Sequence, residues 1–108
     1  LAGVWDDNAE RLAAKSAEYH APAFATTDEL LAVSDVIIVC SENVYHRTLT
    51  EAAARAGKPV LCEKPLATTP EDARAMVSTC AAAGVALYTA FPCRFSPAFQ
   101  TVAASAHR

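Results

Sequence analysis

The stretch Val60-Leu61-Cys62-Glu63-Lys64-Pro65-Leu66 predicts a buried strand that ends in charged residues. Its first residues are apolar or small, as expected of a strand inside a sheet. Open parallel sheets bind ligands beyond the carboxyl ends of their strands, which is where Glu63 and Lys64 follow. The stretch therefore indicates an α/β fold with a candidate site at Lys64. A solvated strand exit is the alternative interpretation of the same residues.

Strand and helix patterns alternate along the chain. Apolar runs predict strands at residues 1–5, 23–25, 36–40, 60–62 and 85–90. Amphipathic helices begin between them, next to capping residues such as Asn8, Thr26 and Thr69. The connections are too long for hairpins, so the pattern predicts a doubly wound, mostly parallel sheet. We expect the run 36–40 to be covered on both faces and the helix after Asn8 to pack on the sheet.

The composition is that of a globular domain or a piece of one. The chain has 108 residues, of which 53% are hydrophobic and 19% are charged, and this size allows a buried core. A net charge of −3 offers no basic stripe for a phosphate backbone, which excludes nucleic acid as the expected partner. The apolar runs are too short to span a bilayer, so no membrane partner is expected either.

The cysteines Cys40, Cys62, Cys80 and Cys93 are spread along the chain without a Cys-x-x-Cys pair. The histidines are equally scattered, so the sequence predicts no metal site. Cys40 and Cys62 end strand-like runs, and Cys80 lies on the apolar face of a helix. We therefore expect buried, reduced thiols in a cytoplasmic protein.

Asp6 follows the first strand-like run, where dinucleotide-binding folds place an acid that accepts hydrogen bonds from the adenosine ribose. Its charge would repel a 2′-phosphate, which favours NAD over NADP. Capping of the next helix is the alternative role. The same fingerprint requires a glycine-rich turn about 20 residues upstream, and the three glycines of the chain do not form one. We therefore expect a chain truncated before its first strand and phosphate turn.

Polar residues also follow the later strands. Ser41 and Asn43 are placed either to contact a ribose or pyrophosphate or to cap the next helix. His46 lies in the first turn of that helix, where local packing is the alternative to a functional role. Arg94 follows the last strand and is placed to meet an anionic group or a surface acid.

These spaced motifs form one ordered pattern, consisting of Asp6, Ser41-x-Asn43-x-x-His46, GKPVLCEKPLA at residues 57–67, and Arg94-Phe95-Ser96-Pro97. The pattern resembles the Gfo/Idh/MocA oxidoreductases. The resemblance implies an N-terminal Rossmann domain at residues 1–92 and the start of a C-terminal substrate domain at residues 93–108. Three positions differ from the usual family pattern: Glu42 replaces a proline, and Pro92-Cys93 replaces Asn-Arg.

The resemblance also implies an activity: hydride transfer between NAD and a secondary alcohol of a sugar, cyclitol or polyol. Lys64 would be the catalytic residue, and the cofactor-binding residues would be Asp6, Ser41, Asn43, His46, Glu63, Lys64 and Arg94. A homo-oligomer formed through the C-terminal domain is implied as well. Without the phosphate turn and the substrate domain, the chain by itself is expected to be inactive.

Two other functions compete with this interpretation. A phosphoacceptor receiver domain also places adjacent acids, a hydroxyl residue and Lys-Pro after successive strands, and Asp6-Asp7, Ser41 and Lys64-Pro65 imitate that order. It additionally requires an aspartate at the end of a central strand, which the run 36–40 does not provide. A module that binds a nucleotide without catalysis is the other alternative.

Overall fold

The computed structural model describes residues 1–106 and contains five α-helices and three strands. The helices are α1 (Ala9–Tyr19), α2 (Thr27–Val33), α3 (His46–Arg55), α4 (Pro70–Ala83) and α5 (Pro97–Ala106). The strands are β1 (Ile37–Val39), β2 (Val60–Cys62) and β3 (Leu87–Thr89). Short 3₁₀ turns cover Asn43–Tyr45 and Pro92–Phe95. The last two residues of the predicted second domain lie outside the described residues.

The strands form one parallel sheet in the order β1-β2-β3, which confirms the predicted parallel α/β fold. Ile37 is in register with Val60, and Val60 with Leu87. Helix α3 contacts β1 and β2 and packs along α4. The core lies between these helices and the sheet, and its members include Val39, Ala53, Val60, Cys62 and Met76.

Within residues 1–106, strand β1 is covered on one face only, so the prediction that both faces are buried is wrong for this part of the chain. Val39 belongs to the core, whereas 60% of Ile38 is exposed. Successive side chains of a strand point to opposite faces of the sheet. Ile38 therefore lies on the face opposite α3, together with the exposed Tyr88 of β3.

The segment before β1 reaches the core through Leu31 of α2, whereas its first strand-like run and α1 do not. The predicted strand at residues 1–5 is reduced to one parallel bridge between Val4 and Ala23, which is separate from the three-stranded sheet. Helix α1 contains no buried residue. The expectation that α1 packs on a sheet is therefore wrong for residues 1–106, because the isolated bridge offers no sheet surface beneath its apolar positions.

The helix ends follow the predicted local chemistry. Thr26 and Glu29 form the reciprocal pair of hydrogen bonds of a capping box at the start of α2. Thr69 accepts a hydrogen bond from the Asp72 N–H at the start of α4. Gly84 ends α4 with φ of 68°, a left-handed conformation that a glycine adopts without steric cost.

The four cysteines are free thiols, as predicted. Cys62 and Cys80 are buried, and this burial raises the pKa of both thiols. Cys40 is exposed, which contradicts the prediction that it is buried. It follows β1 at the edge of the sheet, beyond the residues that α3 covers.

Residues 1–106 contain neither a membrane-spanning helix nor a cluster of metal-binding side chains. In this part of the chain, no helix has the length and apolar character needed to cross a membrane. Among the same residues, no three His, Cys, Asp or Glu side chains form a group that could hold a metal ion.

Candidate functional site

Asp6 lies just before α1 and is held by two hydrogen bonds. Its Oδ1 accepts the Asn8 N–H at 2.8 Å, and its Oδ2 accepts the Arg11 Nε–H at 2.6 Å. The hydrogen bond from Arg11 is the largest reason that the pKa of the Asp6 carboxyl lies below its ordinary value. Asn8, rather than Asp6, is the side chain that caps α1. Asp6 is therefore an ionised, partly exposed acceptor at the end of the first segment.

Arg11 connects Asp6 with the turn that follows β1. Its Nη2 donates to Asp7 Oδ1 at 3.0 Å and lies 3.9 Å from Glu42 Oε1. Glu42 immediately follows Ser41 in that turn. The bridge between Val4 and Ala23, close to Asp6 in the chain, is separate from the sheet. The contacts of Arg11 nevertheless place Asp6 next to the turn that contains Ser41.

His46 connects the Ser41 turn with the turn that follows β2. The ring is fully buried at the start of α3. Its Nε2 lies 3.1 Å from the Ser41 carbonyl oxygen, and its Nδ1 lies 2.9 Å from the Pro65 carbonyl oxygen. A ring with one N–H donates to one of these oxygens, whereas a doubly protonated ring donates to both. His46 therefore contacts the backbone of two turns, the one after β1 and the one after β2.

Lys64 lies at the exposed end of β2. Among residues 1–106, no carboxylate lies within ion-pair distance of its side chain, although its backbone N–H donates to Glu63 Oε2 at 3.0 Å. The peptide bond between Lys64 and Pro65 is cis. An open pocket of about 300 Å³ is lined by Lys64, Pro65, Phe91, Pro92 and Cys93. The Lys64 amine is thus available to a ligand in that pocket.

The loop after β3 completes this edge of the sheet. Arg94 lies in the 3₁₀ turn Pro92–Phe95, with its guanidinium carbon 5.8 Å from the centre of the Phe91 ring. It also lines a second open pocket, beside Phe91 and Cys93. The pocket that contains Lys64 and the pocket that contains Arg94 therefore adjoin through Phe91 and Cys93.

The structure thus brings together most of the predicted site residues. Asp6, Ser41, His46 and Lys64 lie on successive turns joined by the contacts of Arg11 and His46. Asn43 is exposed in the 3₁₀ turn between Ser41 and α3. None of these contacts tests a cofactor-binding role, which stays a prediction for each residue.

Arg11 and the apolar lining residues Phe91 and Cys93 were not identified from the sequence. Arg11 follows Asp6 by five residues, so one turn of a capped helix could have indicated that its side chain returns to the acid. No comparable signal identifies Phe91 and Cys93, because they reach Lys64 only through the pairing of β2 with β3.

This edge can hold the two ends of a dinucleotide. A carboxylate has about four acceptor sites, and the two hydrogen bonds that Asp6 accepts leave room for a ribose hydroxyl. The open pocket beside Lys64 provides an apolar wall for a flat ring and one amine. The glycine-rich turn that cradles a pyrophosphate does not occur in the printed sequence. The residues present therefore fit the ribose end and the ring end of such a ligand.

A receiver domain is not supported. Strand β1 is followed by Cys40 and Ser41, so the end of this strand carries no carboxylate to accept a phosphoryl group. The adjacent acids Asp6 and Asp7 instead form ion pairs with Arg11.

Comparisons with known proteins support a dinucleotide-binding fold. A family model described as "Oxidoreductase family, NAD-binding Rossmann fold" matches residues 1–91. The chain is 46% identical over 92 residues to a 1,5-anhydro-D-fructose reductase of Ensifer adhaerens, covering 82% of this chain and 28% of that protein. It is 32% identical over 111 residues to a scyllo-inositol 2-dehydrogenase (NADP(+)) of Bacillus subtilis, covering 100% of this chain and 34% of that protein.

A solved structure is similar over nearly the whole chain. The WlbA dehydrogenase of Bordetella pertussis, in complex with NADH and UDP-GlcNAcA, superposes with a TM-score of 0.93 at 31% identity. The match covers 99% of this chain and 32% of that one. The chain therefore spans about a third of the length of the relatives it matches.

Proposed function

The chain belongs to the Gfo/Idh/MocA family of oxidoreductases with an NAD-binding Rossmann fold, and we propose that it supplies the cofactor-binding part of a sugar or cyclitol dehydrogenase. The observation that carries the proposal is the continuous line of contacts along one edge of the molecule. Arg11 joins Asp6 to Glu42, and His46 joins Ser41 to Pro65. Ligands of open α/β sheets bind at this carboxyl edge.

The proposed cofactor contacts follow the order of the turns. Asp6 accepts hydrogen bonds from the adenosine ribose hydroxyls, and Ser41 and Asn43 line the middle of the groove. His46 supports this groove from below, because its ring is buried and holds the Ser41 carbonyl. Glu63 and Lys64 lie at the nicotinamide end, and Arg94 faces an anionic group beside the Lys64 pocket.

Lys64 is the proposed proton-transfer residue. When bound, the nicotinamide supplies the hydride chemistry. Lys64 Nζ removes the hydroxyl proton of the substrate alcohol during oxidation and returns it during reduction. Two features of the pocket favour this role: no carboxylate of residues 1–106 pairs with the amine, and apolar side chains line the wall beside it.

The substrate class is proposed from the relatives. They are named for 1,5-anhydro-D-fructose and scyllo-inositol, and the WlbA structure contains UDP-GlcNAcA. A sugar, cyclitol or related polyol alcohol is common to these names. We also propose a cytoplasmic homo-oligomer with a domain boundary between residues 92 and 93, and the free cysteines are consistent with that location.

NAD rather than NADP is the proposed cofactor. The relatives differ in this respect, since one is named for NADP(+) and the WlbA structure contains NADH. The ionised Asp6 carboxylate supports NAD, because it is an acceptor for ribose hydroxyls and repels a 2′-phosphate.

The test replaces Lys64 with methionine in the complete gene product that contains this chain. We expect kcat for oxidation of an inositol or UDP-sugar substrate to fall by about 10²–10⁴-fold, the usual contribution of a general acid–base group. NADH affinity, measured by fluorescence titration, should change by less than about threefold. Lys58→Met is the matched control, because Lys58 precedes the same strand at its opposite end, and it should leave kcat unchanged.

A kcat for Lys64→Met within about threefold of the parent would contradict the catalytic role. If NADH still bound tightly in that case, the chain would be a nucleotide-binding module whose chemistry lies elsewhere. Absence of NADH and NADPH binding by the parent protein would overturn the proposed function altogether.

A further inference from the structure

The guanidinium of Arg11 is surrounded by carboxylates from two turns. Its Nε donates to Asp6 at 2.6 Å, and its Nη2 donates to Asp7 at 3.0 Å. Glu42, from the turn after β1, places Oε1 3.9 Å from the same Nη2. Three negative charges thus face one positive charge, and the cluster as a whole stays negative.

An arginine beside the ribose-binding acid is the group that accommodates the 2′-phosphate in NADP-binding members of this fold class. To do so, Arg11 would have to turn at least one pair of its N–H groups toward the phosphate. In this structure, Asp6 and Asp7 accept from Nε and Nη2, whereas Nη1 makes no hydrogen bond within residues 1–106, so the carboxylates oppose a phosphate by their charge rather than by occupying every donor. Glu42 adds a third carboxylate on the side of the Ser41 turn.

Glu42 is not required by the backbone of its turn. Its φ of −60° and ψ of 143° suit a proline as well as a glutamate. Within residues 1–106, its N–H donates no hydrogen bond, and its carbonyl accepts bonds from Tyr45 N–H and the Ser41 hydroxyl that any residue would retain. Arg11 is the charged group that its carboxylate approaches. The Glu42 side chain therefore affects the charge around Arg11 rather than the backbone conformation of the turn.

We propose that Glu42, together with Asp7, is a specificity-determining residue that selects NAD by neutralising the charge of Arg11 and keeping the surroundings of Asp6 negative. The inference rests on the proposed function, because it assigns the adenosine ribose to Asp6. A 2′-phosphate bound beside Asp6 would lie where the charge of Arg11 is already neutralised and a net negative charge remains. The Glu42 carboxylate lies 3.9 Å from Arg11 Nη2. Removing this exposed charge should change the affinity for a phosphate by about threefold to tenfold, less in high salt.

The experiment titrates NADH and NADPH separately against the complete gene product, with nicotinamide fluorescence as the measure of binding. Glu42→Gln should tighten NADPH binding by about threefold to tenfold and change NADH binding by less than about twofold. Glu42→Pro should have the same effect, because the φ of this position suits proline. The gain for NADPH should shrink when the salt concentration is raised.

Glu18→Gln is the matched control. Glu18 is an equally exposed acid near the opposite end of α1, where it pairs with Lys15. Its substitution removes the same charge from the protein and should leave both affinities unchanged. A similar gain for NADPH in this variant would mean that net charge, rather than the position of Glu42, decides the preference, and this would overturn the proposal.

The remaining outcomes separate the inference from the function on which it rests. If NADH binds and Glu42→Gln leaves the ratio of the two dissociation constants within about twofold, the selection by Glu42 is wrong and the dehydrogenase proposal stands. If Glu42→Gln tightens both cofactors equally, the selection is wrong as well. If the parent protein binds neither cofactor, both proposals fail together.

Discussion

The unit from β1 to β3 and the first segment of the chain, residues 1–20, have equally clear local signals but very different packing. In the first, Val60, Cys62 and Met76 are completely buried between the sheet and its helices. In the second, α1 has a well-formed cap but no buried residue, and one bridge replaces the predicted strand. The difference shows that capping and periodicity specify where helices form, whereas burial depends on what lies beside them.

The largest loss of stability is expected in the packed unit from β1 to β3. Met76 and Val77 are neighbours on α4, but Met76 is 0% exposed and Val77 is 54% exposed. Met76→Ala should lower the free energy of unfolding by about 2–5 kcal/mol, because it leaves a cavity in the core. Val77→Ala should cost less than about 1 kcal/mol. Denaturant unfolding of both variants of the complete gene product measures the difference.

Equal losses of stability for Met76→Ala and Val77→Ala would contradict the packing described here. They would mean that Val77 is buried in the complete protein and that α4 packs on both sides.

A smaller loss of stability is expected within α3, where two buried polar side chains have different partners. His46 contacts two carbonyl oxygens, whereas the Thr50 hydroxyl has no hydrogen-bond partner among the described residues. His46→Phe keeps an aromatic ring but removes the N–H that donates to the Ser41 or the Pro65 carbonyl oxygen. It should cost about 1–3 kcal/mol of stability. Thr50→Val should change the free energy of unfolding little, because the buried hydroxyl that it removes faces the Cys62 thiol, which is only a weak hydrogen-bonding partner.

Thermal or denaturant unfolding measures both variants. If His46→Phe were as stable as the parent, the buried ring would not hold the two turns together, and the line of contacts across the sheet edge would lose its central link. A large loss for Thr50→Val would show that its hydroxyl has a partner in the complete protein.

Much of the fold could be predicted because its signals are local. The start of α2 depends on Thr26 and Glu29, and that of α4 on Thr69, Pro70 and Asp72, all within one helical turn. The parallel sheet followed from strand runs separated by helix-length connections. The exposure of Ile38 could not be predicted, because an apolar run does not reveal whether a second layer covers it.

The position of the candidate site could be predicted from the sequence, but the side-chain contacts that join its turns could not. Carboxyl ends of parallel strands share one edge, so residues after different strands were expected to converge there. The contact between His46 and Pro65 joins residues 19 positions apart, and the contact between Arg11 and Glu42 crosses from one turn to another. Such contacts depend on how elements dock, which no short sequence pattern specifies.

The most direct test of the central claim is hydrogen–deuterium exchange of the complete gene product with and without saturating NADH. The claim is that the turns around Asp6, Ser41, Lys64 and Arg94 form one cofactor-binding edge. It predicts that exchange slows together at residues 5–8, 41–46, 63–66 and 91–94. Residues 56–59, at the opposite end of β2, should be unchanged. Protection at residues 56–59, or NADH binding that leaves residues 63–66 unprotected, would contradict the claim.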